Sequence, residues 1–84
     1  GTKMYVFPNP TNGPITLNIP GMSLTKNVDA VLFSSLGNIV YQNKNSLSNI
    51  LESINSTMQK MQAGIYFLQI TAGDFNQKLK IIRQ

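Results

Sequence analysis

Asp29, Glu52 and Asp74 are the only acidic side chains in a chain of 84 residues that has no histidine, cysteine or tryptophan. Acid–base catalysis needs titratable groups converging on one cleft, and hydrolysis by a carboxylate pair needs two acids facing each other. These three are widely separated in sequence. Asp29 falls in an alternating strand pattern that points it to solvent. Asp74 falls in a tight turn, where an aspartate ordinarily bonds nearby backbone. A metal site needs several oxygen, nitrogen or sulfur ligands gathered together, and no spacing in the chain supplies them. Serines are plentiful, but none has a histidine or a placed lysine to activate it. The inventory therefore argues against an enzyme and implies no metal and no cofactor. Asn55-Ser56-Thr57 matches a glycosylation tripeptide, which a chain rich in Asn and Ser produces readily by chance.

The remaining chemistry is charge. Seven basic residues against three acids leave a net charge of +4. Lys3, Lys26, Lys44 and Lys60 are scattered, whereas Lys78, Lys80 and Arg83 cluster near the last residue. Nucleic-acid binders carry a denser basic stripe, often with interleaved aromatics, so no nucleic-acid partner is expected. On a strand, Lys78 and Lys80 share one face. They then read as a charged edge that resists aggregation, or as an exposed address.

The elements that would carry these residues are mostly strands. Lys3–Phe7 reads as a short strand and Pro14–Ile19 as a second, with Ile15, Leu17 and Ile19 on one face. Between them lies Phe7-Pro8-Asn9-Pro10-Thr11-Asn12-Gly13. The prolines cannot donate to a ladder and hold the residues before them extended, while Asn12-Gly13 favours a turn. Asn27–Ser34 and Ile39–Gln42 form a hairpin about the Ser35–Asn38 turn, with Gly37 at a positive-φ position. Ile65–Thr71 is nearly continuous in apolar residues, as in a strand buried on both faces. Ala72-Gly73-Asp74 turns the chain into a last strand, Phe75–Ile82, with Leu79 and Ile81 inward and Lys78 and Lys80 outward. Gly64 allows a sharp bend before its strand. Tyr66 brings a large apolar body inward while its hydroxyl reaches backbone at the core edge.

The middle segment fits two patterns. Leu47, Ile50, Leu51, Ile54, Met58 and Met61 fall at helical spacing, with Ser46 or Ser48 as a cap. Turn signals about every ten residues elsewhere favour a sandwich, and on that ground a strand is expected near residues 50–57 and a tight turn over 58–63. One domain, 1–84, is expected, with a thin core. Composition favours a folded chain, and no apolar run is long enough for a membrane-spanning helix. The chain opens on Gly1 and shows no leader pattern, so it reads as a piece of a longer protein, with Gly1 open to reading as a cloning scar.

In order along the chain, four segments resemble one family. Tyr5-Val6-Phe7-Pro8-Asn9-Pro10-Thr11-Asn12-Gly13 resembles the opening of the type A C-terminal sorting domain of the type IX secretion system. Ser35-Leu36-Gly37-Asn38-Ile39-Val40-Tyr41 resembles its central glycine hairpin. Ala63-Gly64-Ile65-Tyr66-Phe67-Leu68-Gln69-Ile70 resembles its glycine-x-tyrosine strand, and Lys78-Leu79-Lys80-Ile81-Ile82-Arg83 its basic terminal strand. Two positions depart from it: Ser34 stands where an acid is often found, and residues 57–62 are richer in Met and poorer in Pro.

The resemblance implies an all-β, immunoglobulin-like antiparallel sandwich of about seven strands. It implies a non-catalytic signal at the C-terminus of a secreted cargo of Bacteroidetes-type bacteria. The signal is recognised by an outer-membrane translocation machinery. A sortase-like peptidase commonly removes it and joins the cargo to a surface lipopolysaccharide. The cargo then ends secreted or at the cell surface. In this reading Pro8, Asn9, Pro10, Gly13 and Gly37 shape turns, Gly64 and Tyr66 build a core corner, and Lys78, Lys80 and Arg83 present the terminal strand. An edge strand left open would also allow self-association. The competing reading is an immunoglobulin-like accessory or spacer domain that binds carbohydrate or protein. The lack of Trp, with most of the aromatics needed in the core, weighs against glycan binding.

Overall fold

The computed structural model describes residues 3–84, so Gly1 and the reading attached to it lie outside the described residues. The chain runs β1 (Tyr5–Phe7), β2 (Thr16–Asn18), β3 (Asn27–Ser34), β4 (Ile39–Ser46), α1 (Leu47–Lys60), β5 (Gly64–Ala72) and β6 (Phe75–Arg83). β1 and β2 form a two-stranded antiparallel sheet. The other four strands form an antiparallel sheet in the order β4-β3-β5-β6. The chain is thus mostly β, built on two antiparallel sheets, as the sandwich expectation requires.

One core joins the two layers. Val28, Ala30 and Leu32 of β3, Tyr66, Leu68 and Ile70 of β5, and Ile81 of β6 are buried on the inner face of the large sheet. Met4, Ile15, Leu17 and Ile19 from the small sheet and Leu47, Ile50, Ile54 and Met58 from α1 complete the same cluster. Alternation in the strands does the sorting. Residues of one parity enter the core, and those of the other, such as Thr16, Asn18, Asp29, Lys78 and Lys80, stay exposed.

The segment expected as a strand near 50–57 followed by a turn over 58–63 is corrected to helix α1. Its local signals are ordinary ones. The Ser46 hydroxyl accepts the Asn49 N–H at 3.3 Å, so the first turn is capped. Buried residues recur at 47, 50, 54 and 58, which is one helical face, while Glu52 and Ser56 are exposed. A strand would have placed Ile50, Glu52, Ile54 and Ser56 on a single face and so buried a carboxylate beside two isoleucines. The helix fills the space beside the small sheet, where the Asn55 Oδ1 accepts the Ile15 N–H at 2.8 Å. The asparagine of the glycosylation tripeptide thus fastens α1 to the start of β2.

A second correction concerns β5. Tyr66, Leu68 and Ile70 are buried as expected, but the opposite face is not covered: Ile65 is 43% exposed, and Phe67 and Gln69 are only half-buried. The apolar run of this strand exceeds what its one buried face requires. β4 also extends beyond the expected Gln42, to Ser46, and leads directly into the helix.

The Tyr41 hydroxyl is buried without a partner among the described residues. An unsatisfied buried hydroxyl costs about 1–3 kcal/mol. Tyr41→Phe removes it and keeps the ring, so a gain in stability of about 1 kcal/mol is expected in urea unfolding. A loss of that size would show that the hydroxyl is satisfied in solution.

Candidate functional site

The residues singled out in the sequence come together from opposite ends of the chain. β6 is an edge strand of the large sheet. Its outer edge near the C-terminus is covered by the segment between β1 and β2. Pro8 and Pro10 have no N–H, so this segment cannot form a regular ladder there. Asn9 supplies what the prolines lack. Its side-chain amide carries a donor and an acceptor like a peptide group. The Nδ2 donates to the Lys80 carbonyl at 2.7 Å, and the Oδ1 accepts the Ile82 N–H at 2.9 Å. Both peptide bonds preceding the prolines, Phe7–Pro8 and Asn9–Pro10, are cis.

Thr11 continues the pairing with backbone. Its N–H donates to the Ile82 carbonyl at 2.9 Å, and its carbonyl accepts the Gln84 N–H at 2.8 Å, forming a parallel bridge to β6. Its side chain is 1% exposed. The hydroxyl donates to the Pro14 carbonyl at 2.7 Å and accepts the Gly13 N–H at 3.0 Å, closing the turn on which Gly13 sits. Reading the sequence did not single out Thr11. The available signal was a threonine two residues before a glycine in a turn, a spacing that suits local hydroxyl-to-backbone bonding. Further along the same edge, the Met4 N–H donates to the Gln77 Oε1 at 2.8 Å.

Gly64 and Tyr66 lie beside this joint. Gly64 pairs with Arg83, and Tyr66 pairs with Ile81. The Tyr66 ring lies 3.8 Å from where a Cβ on Gly64 would stand, and its hydroxyl donates to the Gln62 carbonyl at 2.8 Å. Gly37 sits in the β3–β4 turn with φ of 89°, a left-handed conformation that glycine adopts without a Cβ penalty. Antiparallel register puts that turn at the same end of the large sheet as Gly64 and Arg83, since Ser34 pairs with Tyr66 and Tyr66 with Ile81. All four sequence segments therefore reach one pole of the fold.

The three basic residues of the last strand divide. Lys78 and Lys80 project from the outer face of the large sheet and are exposed. The Lys78 ammonium stands 4.5 Å from the centre of the Phe33 ring and 5.9 Å from that of Phe67, a cation–π arrangement. Arg83 has the opposite parity. Its Nε donates to the Met58 carbonyl at 3.0 Å, at the C-terminal end of α1, where a cation also complements the helix dipole. Arg83 is thus a tie between β6 and the helix.

The acids stay apart. Asp29 makes a long ion pair with Lys44 at 4.0 Å, both largely exposed, and such a pair contributes little to stability. Among the described residues no three potential metal-ligating side chains gather. No helix among them is long and apolar enough to cross a membrane. An open cavity of about 440 Å³ lies at the opposite pole, lined by Pro20, Gly21, Met22, Ser23, Lys26 and Phe75. It holds one cation and no carboxylate.

A search of curated proteins returned no match. The family model described as secretion system C-terminal sorting domain matches residues 5–84, which span the Asn9 joint, the Gly64–Tyr66 corner and the whole of β6. The chain belongs to the family of C-terminal sorting domains of the type IX secretion system.

Proposed function

We propose that this chain is a folded, non-catalytic address read at the outer membrane on behalf of a cargo attached to its N-terminal side. The translocation machinery of the type IX system carries the cargo to the cell surface or the medium. A sortase-like peptidase then removes the domain and the cargo is attached to the surface. The domain contributes recognition and no bond chemistry.

The observation that supports a folded address, as opposed to a linear tag, is the joint at β6. The Pro8–Gly13 segment and the last strand are far apart in sequence, yet Asn9 and Thr11 bond directly to the backbone of Lys80, Ile82 and Gln84. An unfolded chain would not bring these segments together. The test is a reporter with a signal peptide fused ahead of residues 1–84, expressed in a host that has this secretion system. Export of the folded fusion is expected, and retention of the intact fusion in the periplasm would overturn the proposal. Point substitutions serve better than deleting Lys78–Gln84. That deletion also removes Ile81, which is fully buried, and its pairing with β5, so it would confound loss of recognition with loss of the fold.

A further inference from the structure

Toward the Gly64 end, the outer face of the large sheet carries an apolar patch with lysines at one side, and no other element of the described residues covers it. Register places Ile39, Phe33, Phe67 and Lys80 in one row across the four strands, with Ile65 and Ile82 paired alongside. Ile39 and Ile65 are 54% and 43% exposed. β5 has the composition of a strand buried on both sides, but the described residues cover only one side. A contiguous exposed apolar patch of this kind marks an interaction surface more often than a neutral one.

Charge selects the occupant. Lys78, Lys80 and Lys44 stand on this face against one carboxylate, Asp29, which already pairs with Lys44. Neither Lys78 nor Lys80 has a carboxylate partner among the described residues, and Lys78 is held over the Phe33 ring. A second copy would bring the same unpaired lysines to the contact, so like charges oppose homodimerisation here. Two lysines are also too few for a lipid surface, where stable attachment draws on a polybasic cluster or a lipid chain. An acidic border on a protein partner satisfies both lysines, and an apolar centre covers Phe33, Phe67 and Ile65.

We infer that this face is the docking surface for a protein with an apolar centre and an acidic border, and that the partner is a component of the export machinery. The inference rests on the sorting function proposed above and names which surface is read. The reporter fusion tests it with three pairs of substitutions. Ile39→Asp with Ile65→Asp removes the apolar centre. Lys78→Glu with Lys80→Glu reverses the border. Thr16→Asp with Asn18→Asp adds the same two negative charges as the first pair, on the exposed side of β2. Thermal melting of the purified 84-residue chain confirms that each pair folds, and Ile39→Ser with Ile65→Ser replaces the first pair where it does not.

The first pair is expected to cut the exported fraction by about tenfold or more, as loss of central interface contacts does, and the second by a similar factor, because it sets like charges against the acidic border. The β2 pair and the doubly arginine-substituted Lys78→Arg, Lys80→Arg chain are expected to export like the parent. Export within about twofold of the parent for either face pair overturns the inference, as does an equal loss from the β2 pair. A concentration-dependent dimer in light scattering that the Ile65→Asp pair dissolves would assign the face to a second copy and overturn it. Sedimentation of the parent chain with phosphatidylglycerol vesicles at physiological salt, lost in the Lys78→Glu pair, would assign it to lipid and overturn it. Retention of the unmodified fusion overturns the sorting proposal itself and this inference with it. Export of both parent and face variants overturns the inference alone.

Discussion

Alanine at Ile54 is expected to destabilise the domain by about 2–5 kcal/mol, whereas alanine at Glu52 or Ser56 is expected to change stability by no more than about 0.5 kcal/mol. Ile54 is fully buried between the helix and the large sheet, and its neighbours at i−2 and i+2 are exposed. The contrast between them is the signature of helix α1. In a strand, positions 52, 54 and 56 share one face, and truncating any of them would disturb the same layer. The size of the Ile54 effect follows from the removal of a branched side chain from a close-packed site and from the cavity it leaves. A domain of this length has only roughly 4–13 kcal/mol of stability in total, so the loss would be conspicuous in chemical denaturation. Equal costs at residues 52, 54 and 56 would refute the helical face. Met58→Ala is expected to resemble Ile54→Ala, since Met58 is also fully buried on that face.

The second large effect is expected at the joint between the two ends of the chain. Asn9→Ala removes two side-chain bonds to β6 backbone, and a loss of about 1–3 kcal/mol is expected. Thr11→Val leaves the buried Gly13 N–H without its acceptor and should cost a similar amount. The informative readout is local. With Asn9 replaced, the Ile82 amide loses its acceptor and should exchange with solvent markedly faster than the amides of β3, which lie inside the sheet. Thr11→Val loosens the turn that holds the segment against β6 while Asn9→Ala removes its side-chain bonds to that strand, so the two effects should be non-additive in a double-mutant cycle. Unchanged exchange at Ile82 in the Asn9→Ala chain would show that Asn9 does not hold the edge. If β6 must be held in register for recognition, export of the fusion should fall with the population in which that edge is closed.

The joint also bears on edge protection. An edge strand with free N–H and C=O groups is a template for pairing with another chain. β6 manages this near its C-terminus with a proline-flanked asparagine that occupies backbone groups without presenting a ladder of its own. The other edge strand, β4, has only Lys44 as a charged side chain along its length. β4 is therefore the less protected of the two edges, since β6 carries Lys78, Lys80 and Arg83.

Much of the strand architecture was legible in the sequence because it depends on local physics. Alternation in Ile15-Thr16-Leu17-Asn18-Ile19 and in Leu79-Lys80-Ile81 assigned faces correctly, because a side chain in a strand has only two directions to point. Gly37 marked its turn because few other residues accept that backbone angle. Tyr66 declared a polar tip that had to find an acceptor at the core edge, and it finds the Gln62 carbonyl. Helix α1 was equally legible in its own residues, through Ser46 and the spacing of Leu47, Ile50, Ile54 and Met58. The rhythm of the strands around it points to another strand, although a helix packs against a sheet as readily as another sheet does.

Tertiary structure alone decided three other matters. Sequence separation gave no sign that Asn9 and Thr11 reach Lys80, Ile82 and Gln84, since long-range pairing depends on which edge of which sheet a segment meets. Charge alone grouped Lys78, Lys80 and Arg83, but strand parity sends the lysines to the outer face and Arg83 to the end of α1. Finally, the apolar run of β5 announced two faces to be buried. Only the fold shows that the described residues cover one of them, because burial depends on what lies across a face and not on the residues that form it.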